Sequence, residues 1–161
     1  MAFIISFDLD DLLIPGIKRF PVERNYLWHR LFSREKIRQG TISLIQALRA
    51  RGCRIYIYTT SYRSPAYIRR LFFPYGIFPK KIINKTLHDK ILGERAHRIS
   101  KYPPAFNIDI HVDDAPGVGI EGECYHFPTI IIGEDDLHWV DTVLQRLSDH
   151  AAQQTDKGAK Q

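Results

Sequence analysis

The sequence predicts an α/β fold: a doubly wound, mainly parallel five-stranded sheet with helices on both faces. Two observations predict it. Short β-rich runs alternate with helical patterns, and those runs are nearly continuously apolar, as in strands buried on both faces. The runs cover residues 3–8, 54–59, 81–84, 108–112 and 129–133. The first helical pattern, residues 41–51, carries Ile42, Ile45 and Leu48 on one face and stops at Gly52, which suits the residue after a helix end. Ser64 and Pro65 supply an N-cap and a first-turn proline for a helix to about residue 73, ended by Pro74 and Gly76. A third helix, over about 87–99, is less sharply bounded. Asp136 or its neighbour caps a last helix to about residue 150, with Leu137, Val140, Leu144 and Leu147 inward. Residues 151–161 are polar without an apolar period, which predicts a disordered tail after one domain over 1–150.

A chain of 161 residues can bury one continuous core. The net charge of +5 points only weakly to an anionic partner. Arg63, Arg69, Arg70, Lys80, Lys81, Arg95, Arg98 and Lys101 are scattered rather than blocked, which is the pattern of a solvated surface. Nucleic acid is therefore a weakly supported partner. Cys53 and Cys124 form no CxxC, so thiols in a reducing cytoplasm are expected. No stretch approaches the roughly 20 apolar residues that span a bilayer. The apolar N-terminal run lacks a basic flank and is broken by Asp8, unlike a signal peptide.

The chemistry sits at strand ends. Asp8 and Asp10 close the first run, and Asp113-Asp114 close the fourth. Carboxylates at the C-terminal ends of parallel strands point into the crevice where such sheets bind ligands. Several converging there repel one another unless a hard cation neutralises them, and Mg²⁺ is the usual oxygen-ligated choice. The pattern points to metal-dependent phosphoryl transfer. Two aspartates at one strand end are commonly turn formers. A second acidic pair after another strand, with Thr59 between, favours the functional reading.

The order Asp8-Leu9-Asp10, Thr59-Thr60-Ser61, a lysine, then Asp113-Asp114 resembles the haloacid dehalogenase-like (HAD) superfamily over about residues 1–148. The resemblance implies a Rossmann-like HAD fold and a Mg²⁺-dependent phosphomonoester hydrolase. Asp8 would be the nucleophile that forms an aspartyl-phosphate, and Asp10 the general acid and base. Thr59 would donate to a phosphate oxygen. Asp8, Asp10 (through its main-chain carbonyl), Asp113 and Asp114 would hold Mg²⁺. Thr60, Ser61 and Arg63, beside the second motif, are candidate substrate contacts, as are Lys18 and Arg19.

The third-motif lysine is Lys101 or Lys90. Lys101 is favoured because it stands just before Pro103-Pro104, where the chain must turn toward the fourth strand. One departure from the family pattern is Leu12, where a threonine would orient backbone near the nucleophile; its loss would slow turnover or weaken the phosphate pocket. The spacings between motifs leave no room for a separate cap domain. That resembles capless members, whose open sites admit a phosphorylated macromolecule, or a small phosphoester with oligomerisation completing the pocket. The alternative is a weakly active or inactive scaffold of the same fold that binds phosphate or nucleic acid. His111 reads as a core or site-supporting residue. Zinc is not expected. Trp28, Tyr26, Phe32 and the run 72–75 read as packing.

Overall fold

The computed structural model describes residues 3–158. It is an α/β fold of Rossmann-like type. The sheet has five strands: β1 (Ile4–Phe7), β2 (Arg54–Tyr58), β3 (Lys81–Ile83), β4 (Ile110–Asp113) and β5 (Thr129–Ile131). All four pairings are parallel, in the order β3-β2-β1-β4-β5. The chain steps outward from β1 to β3, then crosses back to place β4 on β1's other side. The switch point therefore lies between β1 and β4, where a parallel sheet opens a crevice at its carboxyl ends.

Side-chain alternation divides the sheet into two unlike faces. Ile5, Phe7, Ile55, Ile57, Ile82, Ile110, Val112 and Ile130 belong to the main core. They pack there with Leu44, Ile45 and Leu48 of α1 (Thr41–Ala50), Ile68 and Leu71 of α2 (Pro65–Phe72), and Val143 and Leu147 of α5 (Trp139–Gly158). The intervening residues form the second face. Tyr58 and Ile83 cluster there with Phe106 and Ile108, and against Leu87 of α3 (Lys85–Leu92). That face also carries Ser6 and His111, fully buried and opposite each other in register.

Local signals explain most boundaries. Ser64 Oγ accepts the N–H of Tyr67, with Pro65 in the first turn. Asn84 caps α3 in the same way through Leu87, so the helix begins at Lys85, two residues earlier than the sequence suggests. The expected helix over 87–99 is broken at Gly93, whose φ of 57° leaves the helical region, and a 3-10 turn follows over Gly93–His97. An unexpected helix, α4 (Pro116–Tyr125), joins β4 to β5. Its sequence hides it, because Gly117, Gly119 and Gly122 are poor helix formers and break the apolar period. Gly119 and Gly122 serve packing instead: a Cβ on Gly119 would lie 3.1 Å from Ile131 Cγ1, and one on Gly122 would lie 2.8 Å from the Phe127 carbonyl oxygen and from Thr129 Cγ2.

The last helix starts at Trp139, with Asp136 accepting from the His138 N–H and the Thr142 hydroxyl just before it. Its backbone stays helical to Gly158, past the expected end near residue 150. The rest of the expected tail, 159–161, lies outside the described residues. The aromatic expectation divides: Phe72 and Tyr75 are buried, whereas Tyr26, Trp28 and Phe73 are about half exposed. No helix among the described residues is long and apolar enough to cross a membrane.

Candidate metal and phosphate site

Asp8 follows β1 and Asp113 ends β4, on neighbouring strands and on the same face as Ser6 and His111. The Asp8 N–H donates to the Val112 carbonyl at 2.9 Å, carrying the β1–β4 ladder to the carboxylates. Asp8, Asp113 and Asp114 each offer an oxygen, and the three oxygens lie within 4.8 Å of one another. All three residues are buried.

Lys101 enters from the second face. Its Nζ lies 2.6 Å from Asp8 Oδ1, 3.3 Å from Asp113 Oδ2 and 2.6 Å from the Tyr58 carbonyl. Two anchors hold that segment. The N–H groups of Ser100 and Lys101 donate to Glu121 of α4, and the Tyr102 N–H donates to the Tyr58 hydroxyl. The turn over Pro103–Phe106 then leads to β4, the reversal expected from the two prolines. Lys90, the other candidate, is exposed on α3.

His111 braces Asp113. Its Nε2 lies 2.9 Å from Asp113 Oδ2, and its Nδ1 lies 2.7 Å from Ser6 Oγ. Burial first, and Lys101 as well, hold the imidazole below its ordinary pKa. A neutral ring facing a carboxylate must carry its hydrogen on Nε2, so Nδ1 accepts from the Ser6 hydroxyl. The Ala115 N–H serves the other Asp113 oxygen at 3.0 Å.

The charges do not balance evenly. Burial pushes Asp113 up, but Lys101 and His111 outweigh it and hold the carboxyl far below its usual range. Burial would lower Lys101, yet Asp8 and Asp113 raise it, so the ammonium stays charged. Asp8 is the group left over. Burial pushes it up to about 7, Lys101 offsets only part of this, and repulsion from Asp113 adds to it. Asp114 is also raised, by burial against a partly compensating Lys18.

The loop after β1 supplies Lys18. Asp11 adopts a left-handed φ of 63°, and its Oδ1 accepts the N–H groups of Gly16 and Lys18. A Cβ at Gly16 would meet that oxygen at 2.8 Å. The loop so formed sets Lys18 Nζ 2.8 Å from Asp114 Oδ2 and 3.0 Å from its carbonyl. Leu12 lies inside this loop, fully buried in the main core.

The carboxylate of Asp10 stands outside the acidic trio. Arg63 Nη1 lies 2.6 and 2.8 Å from its two oxygens, while Nη2 reaches Glu35 Oε1 at 2.9 Å. Tyr67 donates to Glu35 Oε2 at 2.7 Å. Thr59 is buried, and its hydroxyl oxygen accepts the Ser61 N–H at 3.0 Å, leaving its hydrogen free to donate elsewhere. Ser61 Oγ accepts the Arg63 N–H, and Thr60 is exposed. Arg19 turns away, its N–H donating to Glu134 at 3.0 Å and its guanidinium to nearby carbonyls.

Thus Asp8, Lys101, Asp113 and Asp114 come together, while Thr59, Ser61, Arg63 and Asp10 form a hydrogen-bonded series that begins next to Tyr58, whose carbonyl holds Lys101. The sequence reading missed Glu35, Tyr67, Ser6 and Glu121. Each acts through another side chain, and no motif spacing signals that. The buried trio offers only oxygen donors, a set that suits a hard cation.

No protein-family model matches the sequence, and neither does any curated protein.

Proposed function

We propose that the protein is a capless, HAD-like phosphomonoester hydrolase that works through an aspartyl-phosphate on Asp8. The carrying observation is the buried trio Asp8, Asp113 and Asp114, within 4.8 Å of one another, with Lys101 against two of its members. The trio, with the main-chain carbonyl of Asp10, would hold Mg²⁺, which would supply charge neutralisation between carboxylate and phosphate. An Asp8 oxygen forms a bond to phosphorus as the ester P–O bond breaks, and Asp10 gives its proton to the departing oxygen. Water then attacks phosphorus while Asp10 takes its proton. The Asp8 P–O bond breaks, and inorganic phosphate leaves. Lys101 offsets repulsion between nucleophile and phosphate, and Thr59 donates to a phosphate oxygen.

The test uses an aryl phosphate with Mg²⁺. Wild-type protein should hydrolyse it, and Asp8→Asn should not, with unchanged circular dichroism. Hydrolysis that survives the substitution removes Asp8 from the nucleophile role. A second reading, phosphate binding with little or no turnover, is favoured by two observations: Asp10 is engaged by Arg63, and Leu12 offers no hydroxyl. Tight phosphate binding without hydrolysis would select it.

A further inference from the structure

Asp10 is the proton carrier of the proposed hydrolysis, yet both its oxygens are engaged by one nitrogen of Arg63. That guanidinium is anchored from behind. Its other nitrogen holds Glu35, which Tyr67 holds in turn. Its backbone is pinned as well: the N–H donates to Ser61 Oγ at 3.1 Å, and the carbonyl accepts from Asn84 Nδ2 at 3.1 Å. Arginine pairs most strongly with an oxyanion through two parallel N–H bonds. Here a single nitrogen serves both carboxylate oxygens, which is a weaker form. The Arg63 and Asp10 side chains are 30% and 37% exposed, so an incoming anion can reach the pair.

We propose that Arg63 exchanges partners: it holds the Asp10 carboxylate until a substrate phosphate competes for the guanidinium, and the exchange frees Asp10 to take a proton from water and pass it to the leaving oxygen. The inference rests on reading the site as a phosphoester site. A phosphate monoester near neutral pH carries close to two charges and three free oxygens. A carboxylate carries one charge and two oxygens. The exchange is therefore favourable for a monoester. A diester has a single charge and gains nothing over Asp10. Arg63 thus selects monoesters and couples their arrival to release of the acid.

The test is a double-mutant cycle on binding of inorganic phosphate, read by calorimetry at saturating Mg²⁺. It compares wild type, Asp10→Asn, Arg63→Ala and the double variant. With Arg63 present, Asp10→Asn should tighten phosphate binding about tenfold, because the competitor for the guanidinium is gone. In the Arg63→Ala background the same change should alter binding by less than about threefold. If Asp10 acted only by repelling phosphate, its removal would help at least as much without Arg63. That result overturns the exchange, as does an absence of tightening when Arg63 is present. Arg63→Gln repeats the cycle should the alanine variant fail to fold; a neutral amide offers no cation for Asp10 and phosphate to compete for, so most of the gain should vanish. Hydrolysis is assayed separately. Turnover with an additive cycle removes the exchange and leaves the hydrolase. A non-additive cycle without turnover does the reverse, and no phosphate binding by any variant removes both.

Discussion

Lys101 and Asp8 lie 93 positions apart in sequence and 2.6 Å apart in space. The ammonium is almost completely buried, so its charge depends on the carboxylates it touches. The same contact leaves Asp8 and Asp113 sharing one cation. That imbalance governs how the site should respond to substitution, pH and metal.

Replacing Lys101 by methionine leaves two buried carboxylates facing each other. Breaking a buried ion pair in this way costs about 3 kcal/mol or more. Urea unfolding in a chelator should show a fall of that size. A change within about 0.5 kcal/mol, as at an exposed site, would mean the ammonium is not desolvated. Aryl phosphate turnover should fall by about 10²–10³, because the charge facing the phosphate is lost.

Asp8 sets the pH response in the absence of metal. Its folded value is pushed up to about 7 by burial, against an ordinary 3.8. Between those values the folded protein keeps a proton that the unfolded chain has released. This contribution to stability is full below the ordinary value and is lost as pH rises toward 7. Asp113 has the opposite sign: its contribution is present above the ordinary carboxylate value and is lost as pH falls below it. Thermal scans in a chelator should therefore show the melting temperature of wild type declining from about pH 5 to about pH 7 and levelling off above it. Asp8→Asn should flatten that decline, and an unchanged slope would assign it to another group.

Mg²⁺ binding at the trio should release a proton from Asp8 near neutral pH and none well above it. Calorimetry in buffers of different ionisation enthalpy measures this directly. Proton release that persists in Asp8→Asn would locate the titrating group elsewhere.

His111→Phe keeps a ring of similar volume but removes the donor to Asp113 and leaves the Ser6 hydroxyl without its acceptor. Mg²⁺ affinity should fall about 10–100-fold, as when a group supporting a metal ligand is lost. Unchanged affinity would show that backbone contacts alone hold Asp113.

Leu12→Thr restores the residue that the HAD resemblance expects. The side chain is fully buried among apolar neighbours, so an added hydroxyl and two lost carbons should destabilise by about 1–3 kcal/mol. Chemical denaturation measures the change. A stabilised or more active variant would show that the loop can turn this side chain toward the phosphate.

Strand positions were legible because a buried parallel strand reads as a short apolar run, and all five runs became strands of the sheet. Helix α4 and the break at Gly93 were not legible. Gly119 and Gly122 of α4 answer to close packing against β5 and the Phe127 carbonyl, a tertiary demand that leaves no local period.

The acidic residues at strand ends, the intervening threonine and the lysine before Pro103-Pro104 could be named from the sequence, since local backbone preference fixes where each run stops. Their mutual distances could not. The order of strands puts β4 beside β1, and the parity of side chains sets Asp8 and Asp113 on the same face as His111. Arg63 on Asp10, Lys18 on Asp114 and Lys101 between Asp8 and Asp113 are likewise long-range pairings. A charge in the sequence carries no record of which opposite charge will share its burial, because that choice is made by packing elements distant along the chain.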